Sequence, residues 1–210
     1  MKKISVICAV VSAISLFPSV SEAQKTLFFK DTFDGGSIVD DSLWKIPTWV
    51  SPSDGTYLGR TQLRVSQNSQ LPSIKKGNAK ILLETYNPTG SSFYGTDLIS
   101  LQKINLNKGV NIKVRAKFDG PNYDGIVGGI FLYSLKPGSN TLHDEIDFEL
   151  LGNTPNQVQT NIYANEPLGA GHPEFTPYAT GTTHDYHTYE IKWLPNKVSW
   201  LVDGIPVRQE

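Results

Sequence analysis

Cysteine is almost absent from this 210-residue chain: the one residue, Cys8, sits in an apolar stretch near the N-terminus. Past that point no disulfide and no thiol chemistry is available, so stability has to come from a buried core. Charge of one sign is lacking too. Nineteen Lys and Arg stand against 20 Asp and Glu, with no basic run, which argues against nucleic acid as a partner. Beyond residue 23 no apolar run approaches the ~20 residues that span a bilayer. A usable glycosylation sequon is missing: Asn87-Pro88-Thr89 is blocked by its proline, and Asn153-Thr154-Pro155 is out of register. Helical periodicity is missing as well, because no window of about a dozen residues keeps a 3.6-residue apolar repeat free of Gly or Pro.

The first 23 residues read as a secretory leader. Lys2 and Lys3 precede an apolar stretch over residues 4–17, and Ser21-Glu22-Ala23 places small residues at −3 and −1 of a cut before Gln24. The stretch is too short for a membrane anchor. The expectation is a secreted protein, extracellular or periplasmic, that leaves the membrane after cleavage. Residues 24–210 then form one domain, large enough for a sizeable core and expected to act as a monomer.

Alternation is abundant. Ile112, Val114, Ala116 and Phe118 point one way while Lys113, Arg115 and Lys117 point the other, the pattern of a half-buried strand. Further strands read at 80–86, 97–103, 126–133, 144–151, 157–163, 186–194 and 197–203. Turn residues punctuate them at Asn87-Pro88, Asp119-Gly120-Pro121, Pro137-Gly138, Pro195-Asn196 and Asp203-Gly204. Many strands without helices predict an all-β fold, an antiparallel β-sandwich. Two long irregular segments, 45–62 and 164–184, are expected as binding loops.

The chemistry concentrates in residues 143–153, His-Asp-Glu-Ile-Asp-Phe-Glu-Leu-Leu-Gly-Asn. On a strand, positions i, i+2 and i+4 share a face, so Glu145, Asp147 and Glu149 line one side and Ile146, Phe148 and Leu150 the other. Four residues of strand separate the outer Cα atoms by ~13 Å. Each Glu reaches ~3.5 to 4 Å along that line by ordinary bond lengths. Leaning together, the two carboxyls are about 5 to 6 Å apart, against ~5–5.5 Å for retaining glycosidases and ~6.5–9.5 Å for inverting ones. Asp147 crowds the pair. Three carboxylates cannot all ionise cheaply, so one glutamate is expected to stay an acid while the other is the anion. A merely solvated acidic face would interleave Lys or Thr, and here the intervening residues are apolar. Calcium prefers loops that wrap oxygens around it, so a structural calcium ion is conceivable on composition but not indicated, and no cofactor is expected. His184 and His187 lack the Cys or His partners of a zinc set.

Residues 143–153 resemble the active-site strand of glycoside hydrolase family 16 in its Glu-x-Asp-x-Glu form. The wording is closest to the xyloglucan endotransglycosylase/hydrolase branch, with the bacterial lichenases second. Other segments resemble the family in order: Phe33-Asp34-Gly35, residues 125–129 (Gly-Ile-Val-Gly-Gly), 159–163 (Gln-Thr-Asn-Ile-Tyr), 186–193 and 198–204. About residues 27–207 are covered. The resemblance implies a jelly-roll, concanavalin A-like sandwich with Glu145 as nucleophile, Glu149 as general acid/base and Asp147 as helper. It implies sugar contacts for Asn161 and Tyr163. It also implies that this domain is C-terminally incomplete, because the family continues with further strands where this chain stops at Glu210. Segment 164–178 does not reproduce the basic stretch of the plant transferases.

Other expected substrate contacts are His143, beside the motif, and Trp49, Tyr57 and Tyr94, whose rings suit the flat face of a pyranose. Asp97 is expected to face the cleft from a neighbouring strand. Trp44, Trp193 and Trp200 are expected in the core. The expected function is endo-acting, retaining hydrolysis of a β-linked polysaccharide such as β-1,3-1,4-glucan or xyloglucan. The alternatives are a transglycosylase with the same covalent intermediate and a non-catalytic carbohydrate-binding sandwich.

Overall fold

The chain alternates apolar and polar residues over most of its length, and a strand that does so buries one face. The computed structural model describes residues 3–12, 27, 29–47, 49–50, 61–63, 72–85, 93–104 and 109–210. Among them there are sixteen strands and no helix. In chain order they are β1 (Lys3–Ser12), β2 (Trp44–Lys45), β3 (Trp49–Val50), β4 (Thr61–Leu63), β5 (Ser73–Ile74), β6 (Ala79–Glu84), β7 (Phe93–Gly95) and β8 (Ile99–Ser100). There follow β9 (Val110–Asp119), β10 (Val127–Leu135), β11 (His143–Leu151), β12 (Gln157–Glu166), β13 (Glu174–Pro177), β14 (His187–Leu194), β15 (Lys197–Val202) and β16 (Ile205–Gln209).

Two sheets pack face to face. The larger has the order β16-β15-β14-β9-β1-β6-β7-β4-β3, with β5 attached to β6; the smaller has the order β10-β11-β12-β13. Val110, Ile112, Val114, Ala116 and Phe118 of β9, with Tyr189 and Ile191 of β14 and Trp200 of β15, meet Ile146, Phe148 and Leu150 of β11 and Val158 of β12 in one core. Phe148 and Tyr189 touch edge to face across the layers, centroids 5.2 Å apart. Among the described residues this is an antiparallel sandwich with one parallel pair, β4 and β7. Trp44 and Trp200 are buried as expected and Trp193 packs against the same core.

Turn chemistry sets the late hairpins. Pro195 and Asn196 join β14 to β15. Asp203 and Gly204 join β15 to β16 with φ of 52° and 83°, both in the left-handed region that a two-residue turn of this kind requires. Segment 164–184 departs from the expected loop: β12 runs on to Glu166, and Glu174–Pro177 adds a fourth strand along the open edge of β12. The expected strand at 97–103 is reduced to Ile99–Ser100, which pairs with β2. Lys3–Ser12, part of the expected leader, lies between β6 and β9 in the large sheet.

Candidate active site

Register builds the site. β11 is flanked on both sides, and its outward residues meet outward residues of its neighbours. Glu145 lies between Tyr133 of β10 and Tyr163 of β12, Asp147 between Phe131 and Asn161, and Glu149 between Gly129 and Gln159. Three acids thus form the middle row of a polar and aromatic patch. Phe131 and Tyr133, 41% and 52% exposed, offer open rings on one side. Gly129 places no side chain beside Glu149, and the Phe131 ring lies over that glycine instead.

The apolar side of the same strand is locked into the core, which holds the acids in place. Trp200 Nε1 donates to the Asp147 carbonyl oxygen at 2.9 Å from the opposite sheet. Loop residues 167–172 close one end of the patch. Arg208 of β16 pins this segment by donating from Nη1 to the carbonyls of His172 at 2.6 Å and Thr160 at 3.2 Å. Gly171 lies directly against Tyr163 and Asn161.

The acids differ in their surroundings. Asp147 is 4% exposed, and its Oδ1 has no hydrogen-bond partner. An unpaired buried oxygen is cheaper on a neutral acid than on an anion. Burial first, then the charges of Glu145 and Glu149 and a hydrogen bond to Glu145, push its pKa up to about 9. Asp147 is therefore protonated at neutral pH, a proton that the crowding argument from sequence did not assign. The most buried acid keeps it. Glu145 is raised by burial, with Glu149 adding to the rise, while Asp147 and His143 pull it back towards the anion. Glu149 is held by two amides: Gln159 Nε2 donates to Oε2 at 2.6 Å, and Asn161 Nδ2 to Oε1 at 3.4 Å. The phenols of Tyr133 and Tyr163 are raised, chiefly by burial, and remain neutral donors.

An anion, a neutral acid bridging to it and a second carboxyl gripped by amides can together attack an anomeric carbon and move a proton to and from the departing oxygen. The family model of glycosyl hydrolases family 16 matches residues 61–210. The chain belongs to this family. A β-glucanase of Bacillus amyloliquefaciens is 43% identical over 81 residues, 38% of this chain and 32% of that relative. Xyloglucan endotransglucosylase/hydrolase protein 3 of Arabidopsis thaliana is 41% identical over 101 residues, 46% of this chain and 32% of that relative. The match therefore spans 32% of the length of each of these relatives. Among solved structures, a β-1,3-1,4-glucanase (lichenase) derived from a mouse hindgut metagenome superposes with a TM-score of 0.63 at 28% identity, over 87% of this chain and 77% of that one. The Bacillus licheniformis β-glucanase gives 0.63 at 26% identity, over 84% and 78%.

Within this family 16 fold, the expected site residues divide. Glu145, Asp147, Glu149, Asn161 and Tyr163 lie together on β11 and β12. Asn161 is buried, and its amide turns to Glu149. His143 is buried too, beside Glu145. Tyr94 lies on β7 and Asp97 just after it; β7 belongs to the large sheet and pairs with no strand of the small one. Asp97 accepts from the amide of Leu98, and its pKa is raised by burial. Trp49 lies on β3, at the end of the large sheet, and Tyr57 lies outside the described residues. Sequence reasoning missed Gln159, Phe131 and Tyr133. Gln159 was legible, since it alternates with Asn161 and Tyr163; the two rings were not, because nothing local says which strand flanks β11.

Proposed function

We propose that this family 16 protein is a secreted, endo-acting retaining glycosidase that cuts a β-linked glucan. The observation that carries the reading is the ordered trio itself: the buried acid Asp147 between two glutamates, one held by amides and the other free of them. In the first step a Glu145 oxygen bonds to the anomeric carbon as the glycosidic C–O bond breaks. Glu149 gives its proton to the leaving oxygen. Asp147 shares its proton with Glu145, steadying the anion before attack and the departing carboxylate afterwards. In the second step Glu149 takes a proton from water, water oxygen bonds to the same carbon, and Glu145 leaves. Two inversions return the β configuration.

The open rings of Phe131 and Tyr133 support a sugar-lined cleft. Similarity to β-glucanases and to xyloglucan endotransglucosylase/hydrolases supports a β-glucan substrate. A sugar hydroxyl in place of water in the second step makes the same site a transglycosylase. Export by the leader removes β1 and leaves the facing edges of β6 and β9 to pair anew; the N-terminal sequence of the secreted protein decides whether Gln24 comes first.

The test is proton NMR of the anomeric region during the first minutes on mixed-linkage glucan and xyloglucan. β-Anomers are expected first. An α-anomer appearing first removes the assignment of Glu145 and Glu149, and products longer than the starting chains turn the reading to transglycosylation.

A further inference from the structure

His143 sits behind the nucleophile in a closed box. It is 3% exposed, its ring lies between Tyr133 and Tyr163 with centroids 5.2 and 4.5 Å away, and Nε2 stands 3.1 Å from Glu145 Oε2. Nε2 is sealed from solvent and makes no aligned hydrogen bond to any other atom, so no sugar hydroxyl reaches it. The contact with Glu145 has the distance of an ion pair without the alignment of a full hydrogen bond.

The other ring nitrogen settles where the proton is. Nδ1 lies 3.1 Å from the Thr141 carbonyl, and a carbonyl only accepts, so Nδ1 carries hydrogen. In a neutral ring Nε2 would then be a bare lone pair facing a carboxylate oxygen in a dry pocket. Those two lone pairs repel, and no water can come between them. One further proton therefore belongs to the pair. On Glu145 it would quench the nucleophile; on Nε2 it makes an imidazolium that holds the carboxylate as an anion.

We propose that His143 is a positioning residue for Glu145: its Nε2 proton grips Oε2 and leaves the second oxygen to attack. This rests on the assignment of Glu145 as nucleophile. The groups that face the imidazole are Tyr133 from β10, Tyr163 and Glu166 from β12, and Glu145 from its own strand, with Asp147 and Glu149 further along. Lys136 and Asp144 pair with each other next door. The phenols stay neutral; Glu145 is the charged group against the ring, and Glu166, held ionised chiefly by the Ala164 amide and His172, adds negative charge from β12.

The experiment combines His143→Gln, His143→Phe and Glu145→Gln. A glutamine amide donates at every pH; a phenylalanine keeps the stacking between the tyrosines and donates at none. H143Q is expected to keep kcat/KM within about tenfold of wild type at the optimum and to lose one ionisation from the alkaline limb of the profile. H143F is expected to lose about 100-fold in kcat with KM within about threefold, across the whole range. An alkaline limb unchanged in H143Q, or wild-type kcat in H143F, overturns the proposal. A readout independent of activity is the nitrogen-15 NMR titration of the His143 ring. In E145Q the ring is expected to lose its Nε2 proton at lower pH, because the carboxylate that favours the cation is gone. An inactive E145Q whose His143 titration is unmoved overturns this inference and leaves the proposed function standing. An active E145Q overturns both.

Discussion

Trp200 Nε1 hydrogen-bonds to the backbone oxygen of Asp147 at 2.9 Å, although the two residues are 53 positions apart and lie on opposite sheets. The middle acid of the trio is thereby fastened, through its own backbone, to the far layer of the sandwich. Trp200 is fully buried, and the Arg208 guanidinium stands 5.0 Å over its ring.

Trp200→Phe removes that donor and leaves a partly filled site. A net hydrogen bond and a small cavity together are expected to cost about 2 to 4 kcal/mol of stability. Urea unfolding followed by fluorescence or circular dichroism checks it; a loss below about 0.5 kcal/mol would show that the sheets hold the trio without this tie.

Gly171→Ala is expected to injure activity more than stability. A Cβ there would fall 2.4 Å from Tyr163 Cζ, 2.6 Å from its hydroxyl and 2.8 Å from Asn161 Oδ1. Tyr163 and Asn161 must shift, and Asn161 is one of the two amides on Glu149. A displacement of about 1 Å in such a site costs on the order of 100-fold in rate. Steady-state kinetics on a soluble β-glucan measure it, with a serine at the same position expected to do at least as much harm.

Asp147→Asn is expected to stabilise the protein at alkaline pH while lowering its rate. The folded chain holds the Asp147 proton up to about pH 9, against an ordinary value of 3.8. The proton-linked contribution to stability is fully present below that ordinary value and is lost as the pH rises towards the folded one. The neutral amide escapes this loss. The melting temperature of D147N should exceed that of the parent at pH 8 and lie closest to it near pH 4, and a D147N deficit that is constant with pH contradicts the buried-acid description.

Asp203→Asn tests the opposite sign. Burial acts to raise Asp203, but hydrogen bonds from His187 Nδ1 at 2.6 Å and the Thr188 amide at 2.8 Å, with the charges of His187 and Arg115, hold it below its ordinary 3.8. A depressed carboxyl contributes stability above that value and loses it as the pH falls through the folded one. Asparagine tolerates the positive φ of this turn, so the substitution isolates the charge. Thermal melts should show D203N less stable than the parent at pH 7, with the gap closing as the pH drops below 3.8.

Much of the site could be read along the chain because a strand sorts its residues by parity. Glu145, Asp147 and Glu149 share a face whatever surrounds them, and Ile146, Phe148 and Leu150 must then face the core. The same rule exposed the burial pattern of β9 and the pairing of Asn161 with Tyr163. Turn residues such as Asp203-Gly204 marked the hairpins for local reasons of backbone conformation.

Parity names faces and not neighbours. That Tyr133 and Phe131 border the acids follows from the β10–β11 register, and that β14 lies against β9 joins segments more than 70 residues apart, a choice made by packing the two sheets. The open edge of β12 recruited Glu174–Pro177 out of an expected loop. Tertiary burial also decided the chemistry. It closed His143 off from solvent behind Glu145 and placed a proton on Asp147, because the cost of burying a charge depends on the depth and partners of each carboxyl, which no spacing in the sequence encodes.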